Sequence, residues 1–172
     1  MESRQVQPET AKINEHSMEI NSRLSEVGSI IAEILALAKN NGWDESAIAE
    51  MHIGLDEAIK NAIVHGNLLL TEEHKKSGQS WENLVKEKLA QEPELAGKKV
   101  SISWRVSPEK VVITIKDQGQ GFAVAEVADP TQADRLNAEQ GRGILIMKQA
   151  CFDQVEYNEQ GNEVILVKAR KQ

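Results

Sequence analysis

The sequence predicts a two-layer α/β sandwich of the α+β type: a mixed, mostly antiparallel sheet covered on one face by helices. Three observations predict it. Apolar residues recur at helical spacing through the first third of the chain, they alternate along short paired runs after residue 99, and glycine, proline or asparagine separates the runs. Helices with one apolar stripe and strands with one apolar face bury both by stacking as layers.

Residues 1–12 are polar and are expected to form a flexible tail ahead of one domain over 13–172. A strand is expected over 13–20, where His16, Met18 and Ile20 alternate with Ser17 and Glu19. Leu24, Val27, Ile31, Ile34, Leu35 and Ala38 set a helix over 24–39, stopped by Asn40-Asn41-Gly42. Asp44 caps the next helix, 44–65, whose apolar stripe runs through Met51, Leu55, Ala58, Ile59 and Ala62 to an end near His65-Gly66-Asn67.

From about 68 to 99 the chain turns charged and irregular, with Gly78, Pro93 and Gly97 as punctuation, and reads as an insertion. Within it Ser80 can cap a helix carrying Trp81, Leu84, Val85 and Leu89, either packed on its own domain or offered as a docking face. Strands over 100–106 and 110–116 form a hairpin turned at Ser107-Pro108-Glu109. Residues 123–140 lack a period and suit a long surface loop of the kind that forms lids. A helix over 143–150 and a hairpin of 154–158 with 163–169 complete the order.

The chain has 172 residues, enough for one well-buried domain. No apolar run approaches the roughly 20 residues of a membrane helix, and even 30–38 is interrupted by Glu33. The N-terminus lacks the basic-then-apolar plan of a signal peptide and the single Cys151 cannot form an internal disulfide, so a cytoplasmic location and no membrane partner are expected. The net charge of −7 argues against direct nucleic-acid binding, which needs a basic face.

Chemistry concentrates in three places. Asp117-Gln118-Gly119-Gln120-Gly121-Phe122 follows the apolar run 110–116. An acidic residue at a strand end can accept a hydrogen bond from an exocyclic amine, and glycines beside it let backbone approach a flat base; the same residues also suit any tight turn. Glu57, Asn61 and His65 are spaced by four, so a helix lines them on one stripe. A carboxylate there can act as general base and an Asn oxygen is a hard ligand for Mg²⁺, although a solvated helix face has the same pattern. His65 also suits the negative end of the helix dipole. Gly141-Arg142-Gly143 ahead of a helix offers free backbone N–H groups to an anion, with Arg142 adding charge, though two-glycine turns are common. The chain has no Gly-x-x-x-x-Gly-Lys-Ser/Thr, so a P-loop is excluded as the source of ATP binding.

The order Glu57-Ala58-Ile59-Lys60-Asn61, then Asp117-Gln118-Gly119-Gln120-Gly121, then Gly141-Arg142-Gly143 resembles the nucleotide-site boxes of the gyrase, chaperone and histidine-kinase ATPase superfamily. The Glu-x-x-x-Asn form of the first box, continuing to His65-Gly66-Asn67, is most similar to the anti-sigma-factor serine/threonine kinases of bacterial partner-switching systems. The resemblance runs from about residue 13 to 168, apart from the insertion.

That resemblance implies a histidine-kinase-like ATPase fold binding ATP or ADP with Mg²⁺. It implies Asp117 on the adenine amino group, Gly119 and Gly121 walling the base, Asn61 on Mg²⁺, and Gly141, Arg142 and Gly143 on the triphosphate, with His65 counted in the same site. Glu57 would be the catalytic base, the loop 123–140 the lid, and Arg135 a lid cation for the γ-phosphate. The implied activity is phosphorylation of a serine or threonine on a small anti-anti-sigma-type antagonist protein, with sequestration of a sigma factor or similar regulator, in a homodimer. Two alternatives stand beside it: a nucleotide-dependent binding module with no kinase activity, and an ATPase module that hydrolyses ATP without a protein acceptor.

Overall fold

The computed structural model describes residues 15–75, 78–124 and 140–171. Five strands form one sheet in the order β1-β2-β3-β5-β4, with β1 at Glu15–Asn21, β2 at Lys99–Val106, β3 at Lys110–Lys116, β4 at Gln154–Tyr157 and β5 at Glu163–Ala169. All four pairings among the described residues are antiparallel, so the sheet is antiparallel throughout them and not mixed as expected. Short turns at 107–109 and 158–162 explain two of these pairings, because hairpins join only antiparallel neighbours.

Helix α1 spans Val27–Asn40 and α2 spans Glu45–Asn61. Gly42, at φ +79°, ends α1 in a Schellman arrangement in which Trp43 N–H bonds Ala38 O and Gly42 N–H bonds Lys39 O. Asp44 then caps α2, its Oδ1 accepting from Ala47 N at 2.8 Å. Helix α2 does not stop at His65; it widens into a π-helical segment, Ala62–Asn67, in which Leu68 N–H reaches back five residues to Ile63 O. In the segment 68–99, Ser80 caps α3, Trp81–Gln91. Its Leu84 and Val85 are buried in the common core, so the helix packs on its own domain. Helix α4, Gln140–Ile146, begins three residues before the expected start and also runs on as a π segment, Met147–Cys151.

The core lies between the sheet and the helices. Val100, Ile102 and Trp104 of β2 alternate with more exposed residues, as do Val111, Ile113 and Ile115 of β3. They meet Ile30, Ile31 and Ile34 of α1 and Met51, Leu55 and Ile59 of α2 in one continuous cluster. Each of these side chains contributes roughly 1.5–3 kcal/mol by leaving water. Among the described residues no helix is long and apolar enough to cross a membrane.

Candidate functional site

One helix carries both ends of the site. Along α2 and its π extension, Glu57 faces α4 and Gly66 faces the turn after β3. These residues are nine apart in sequence, roughly 13 Å along a helix axis.

At the first end, Gly143 lies against Glu57 and Asn61. A methyl group on its Cα would sit 2.6 Å from Glu57 Oε2 and 3.3 Å from Asn61 Nδ2. Gly54, one turn earlier on α2, gives the same close fit to Cys151, where an added Cβ would lie 2.7 Å from the cysteine Cβ. Two bare Cα atoms thus bring α2 and the α4 segment together. Gly141 and Gly143 fall in the first turn of α4, whose N–H groups have no partner within the helix. The Glu57 carboxyl is half-buried, and burial, followed by the nearby Asp56 charge, raises its pKa above the ordinary value against the opposing pull of Lys60.

At the second end, the Asp117 carboxylate rests on Gly66, where an added Cβ would lie 2.6 Å from each carboxylate oxygen. Gly119 completes this corner: its N–H donates to Asp117 Oδ1 at 2.7 Å, and a side chain on it would collide with the Gly66 carbonyl. Burial raises the Asp117 pKa, while the Gly119 hydrogen bond and the Lys98 charge pull it down. Gly121 is placed apart from this corner. At φ +77° it abuts the Gln160 carbonyl in the β4–β5 turn, and it directs Phe122 N–H onto Gln160 O at 3.1 Å.

His65 leaves the stripe of Glu57 and Asn61 because the π turn beginning at Ala62 takes more residues per revolution than an α turn. Its Nδ1 donates to Leu70 O at 2.6 Å, and its ring meets Trp81 of α3 edge-on at 5.3 Å between centroids. Burial holds its pKa below the usual value, the Leu70 bond opposing. The ring is therefore tied to the segment that follows Asn67. Arg135 and residues 125–139 of the expected lid lie outside the described residues, as do residues 1–14 of the expected tail and first strand. Of Arg142 the backbone alone is described, within the first turn of α4.

Sequence reasoning assigned no role to Gly66, Asn67, Asn162 or Tyr157. Gly66 and Asn67 read as a helix stop, the usual meaning of that pair. Asn162 O accepts from Asp117 N at 3.0 Å, and half-buried Tyr157 stands close enough for the Asp117 charge to add to the desolvation that raises its hydroxyl pKa. Neither residue sits in a motif, so only the assembled sheet brings them to Asp117.

The model of the histidine kinase-like ATPase domain matches residues 83–168, half of the chain, and so takes in β2, β3, the Asp117 turn, α4, β4 and β5. The chain belongs to the histidine kinase-like ATPase domain family. ATP or ADP is the ligand class that membership in this ATPase family implies. The match includes Asp117, Gly119, Gly121 and Gly141–Gly143 and leaves Glu57, Asn61 and His65 outside it. No curated protein matches the chain.

Proposed function

We propose that this histidine kinase-like ATPase domain is a Mg²⁺-ATP-dependent serine/threonine protein kinase of the anti-sigma-factor type. Its substrate would be a small anti-anti-sigma-type antagonist, and it would sequester a sigma factor or similar regulator, as a homodimer in the cytoplasm. The observation that carries the kinase reading is Glu57, a half-buried carboxylate of raised pKa set against Gly143 at the start of α4. A carboxyl whose pKa moves toward neutrality is a better general base than an exposed one.

In this reading Asp117 accepts from the adenine amino group beside Gly66 and Gly119. The first-turn N–H groups of α4 and Arg142 meet the triphosphate, and Arg135 adds a cation from the lid. Glu57 takes the proton as the acceptor hydroxyl oxygen bonds the γ-phosphorus and the bond to the β,γ-bridging oxygen breaks, leaving ADP. Such a reaction depends chiefly on positioning and charge stabilisation. Among the described residues no cluster of three or more His, Cys, Asp or Glu could hold a metal on its own. Asn61, whose side-chain amide lies beside Gly143 next to Glu57, carries a hard oxygen of the kind Mg²⁺ takes; the ion would be held there with phosphate oxygens and water completing its shell and would neutralise charge on the triphosphate.

The test is calorimetric titration with Mg²⁺-ATP and Mg²⁺-ADP on the wild type and Asp117→Ala, followed by transfer of labelled γ-phosphate to a purified anti-anti-sigma-type protein. Binding lost in the variant, with transfer by the wild type, is the expected result. Binding without transfer identifies a nucleotide-dependent binding module, and phosphate release with no acceptor present identifies an ATPase module. Absence of binding by the wild type removes the reading altogether.

A further inference from the structure

Asn67 has no exposed surface and uses every polar atom of its side chain. Its Oδ1 accepts from the backbone N–H of Gln118 at 2.7 Å, and its Nδ2 donates to Ser22 Oγ at 2.9 Å and to Lys99 O at 3.0 Å. The amide can face only one way, because a flip would set its NH₂ against the Gln118 N–H and its oxygen against the Lys99 carbonyl. Ser22 Oγ in turn donates to Lys98 O at 2.9 Å, and Gln118 Oε1 accepts from Lys99 N at 3.0 Å. A buried polar group satisfied this fully is strongly directional, since any displacement leaves a donor or acceptor without a partner.

Two of the three segments that meet at Asn67 are already fixed without it. Strands β1 and β2 are paired from Glu15 with Arg105 to Asn21 with Lys99. The third segment lies outside the ladder: β3 ends at Lys116, and the Asp117-Gln118 turn is held by individual hydrogen bonds, one of them from Lys99 N–H to Gln118 Oε1. Asn162 holds that turn from one side, through Asp117 N–H, and Asn67 holds it from the other, through the next N–H along.

We propose that Asn67 is a positioning residue for the base-binding end of the nucleotide site, fixing the Asp117-Gln118 peptide so that the Asp117 carboxylate stands over Gly66 before nucleotide arrives. This rests on the reading of Asp117 as the acceptor for the adenine amino group. What Asn67 sets is discrimination: an acceptor in a fixed place favours a purine bearing the 6-amino group over one lacking it. A charge-assisted hydrogen bond makes that preference roughly 10- to 100-fold.

The experiment compares Mg²⁺-ATP with the Mg²⁺ complex of purine riboside triphosphate, which lacks the 6-amino group, by calorimetry on the wild type and Asn67→Ala. Circular dichroism and a cooperative melt establish that the variant is folded. The expected result is a wild type that prefers ATP and a folded variant whose preference falls toward one, with affinity for inorganic tripolyphosphate unchanged. A residue that merely stabilised the fold would lower both nucleotide affinities together. A folded variant that keeps the wild-type preference overturns the proposal alone, whereas a wild type that treats the two nucleotides alike removes the base-site reading and the proposal with it. Hydrogen exchange in the ligand-free wild type decides the case in which Asn67→Ala does not fold. The Gln118 amide is expected to be protected there, and exchange at the rate of an open loop overturns the proposal.

Discussion

The Asp117 carboxylate lies so close over the Cα of Gly66 that a β-carbon there would stand 2.6 Å from each of its oxygens. Gly66→Ala is therefore expected to push the carboxylate from its place. Overpacking of this kind costs about 1–3 kcal/mol of stability, and we expect ATP affinity to fall by about 10-fold or more through the lost charge-assisted bond. Calorimetry decides it; unchanged ATP binding by Gly66→Ala contradicts the packing.

Glu57→Gln keeps the shape beside Gly143 and removes the base. Transfer should slow by roughly 10²- to 10⁴-fold, with ATP affinity within about twofold of wild type because uniform binding is untouched. In the wild type the rate should rise with pH through a midpoint above the ordinary glutamate value, following the upward shift that burial imposes. Glu57→Gln should flatten that limb of the profile. Equal losses of rate and affinity in the variant would falsify the assignment of the base.

Asp117→Asn should separate stability from function. A carboxyl whose folded-state pKa is raised keeps its proton over a range in which the unfolded chain has lost it. Its contribution to stability therefore falls as pH rises through that range and stays low above it. At pH 7 the wild type bears the full cost of a desolvated charge, and Asn relieves it while keeping an oxygen for the Gly119 N–H. The expected outcome is a Tm at pH 7 equal to or above wild type, a gap that closes below the ordinary aspartate pKa, and weakened ATP binding. A variant that melts earlier at pH 7 than at pH 4, relative to wild type, reverses the sign and rejects the account.

Leu69 sits at φ +54°, where an L-residue with a branched side chain is strained, and half of its surface is exposed. Leu69→Asn is expected to stabilise the protein by roughly 0.5–1 kcal/mol, since Asn tolerates the left-handed region and little apolar burial is lost. Chemical denaturation reads this directly; a lower midpoint at equal slope shows that the leucine makes contacts worth more than the strain.

Much of this arrangement was legible in the sequence because it is periodic. The apolar repeats through α1 and α2 and the alternation of β2 and β3 place the core to within a few residues, and Asp44 and Ser80 announce their helices as caps. What escaped was geometry set by contacts distant in the chain. The π turn at Ala62 cannot be told from an α turn by apolar spacing, so His65 reads as the third member of a stripe that it leaves. Gly66 and Asn67 look like a helix stop because glycine and asparagine serve that purpose so often; their other use depends on Asp117 and Gln118, some fifty residues later. The early start of α4 escaped for a simpler reason: glycines at 141 and 143 argue against helix locally, and packing against α2 overrides them.

The segment between Leu68 and Lys98 starts from Asn67 and returns to the same residue. Lys98 Nζ donates to Asn67 O at 3.1 Å, and the Lys99 carbonyl accepts from the Asn67 amide at 3.0 Å. Its stem is thus stitched shut where it joins the body, and the entropy of closing such a loop grows only slowly with length. The chain has in effect a graft point: what is spliced between Leu70 and Ser80 can change in length and character while the stem keeps Asp117 in register and Leu70, Leu84 and Val85 stay packed in the common core.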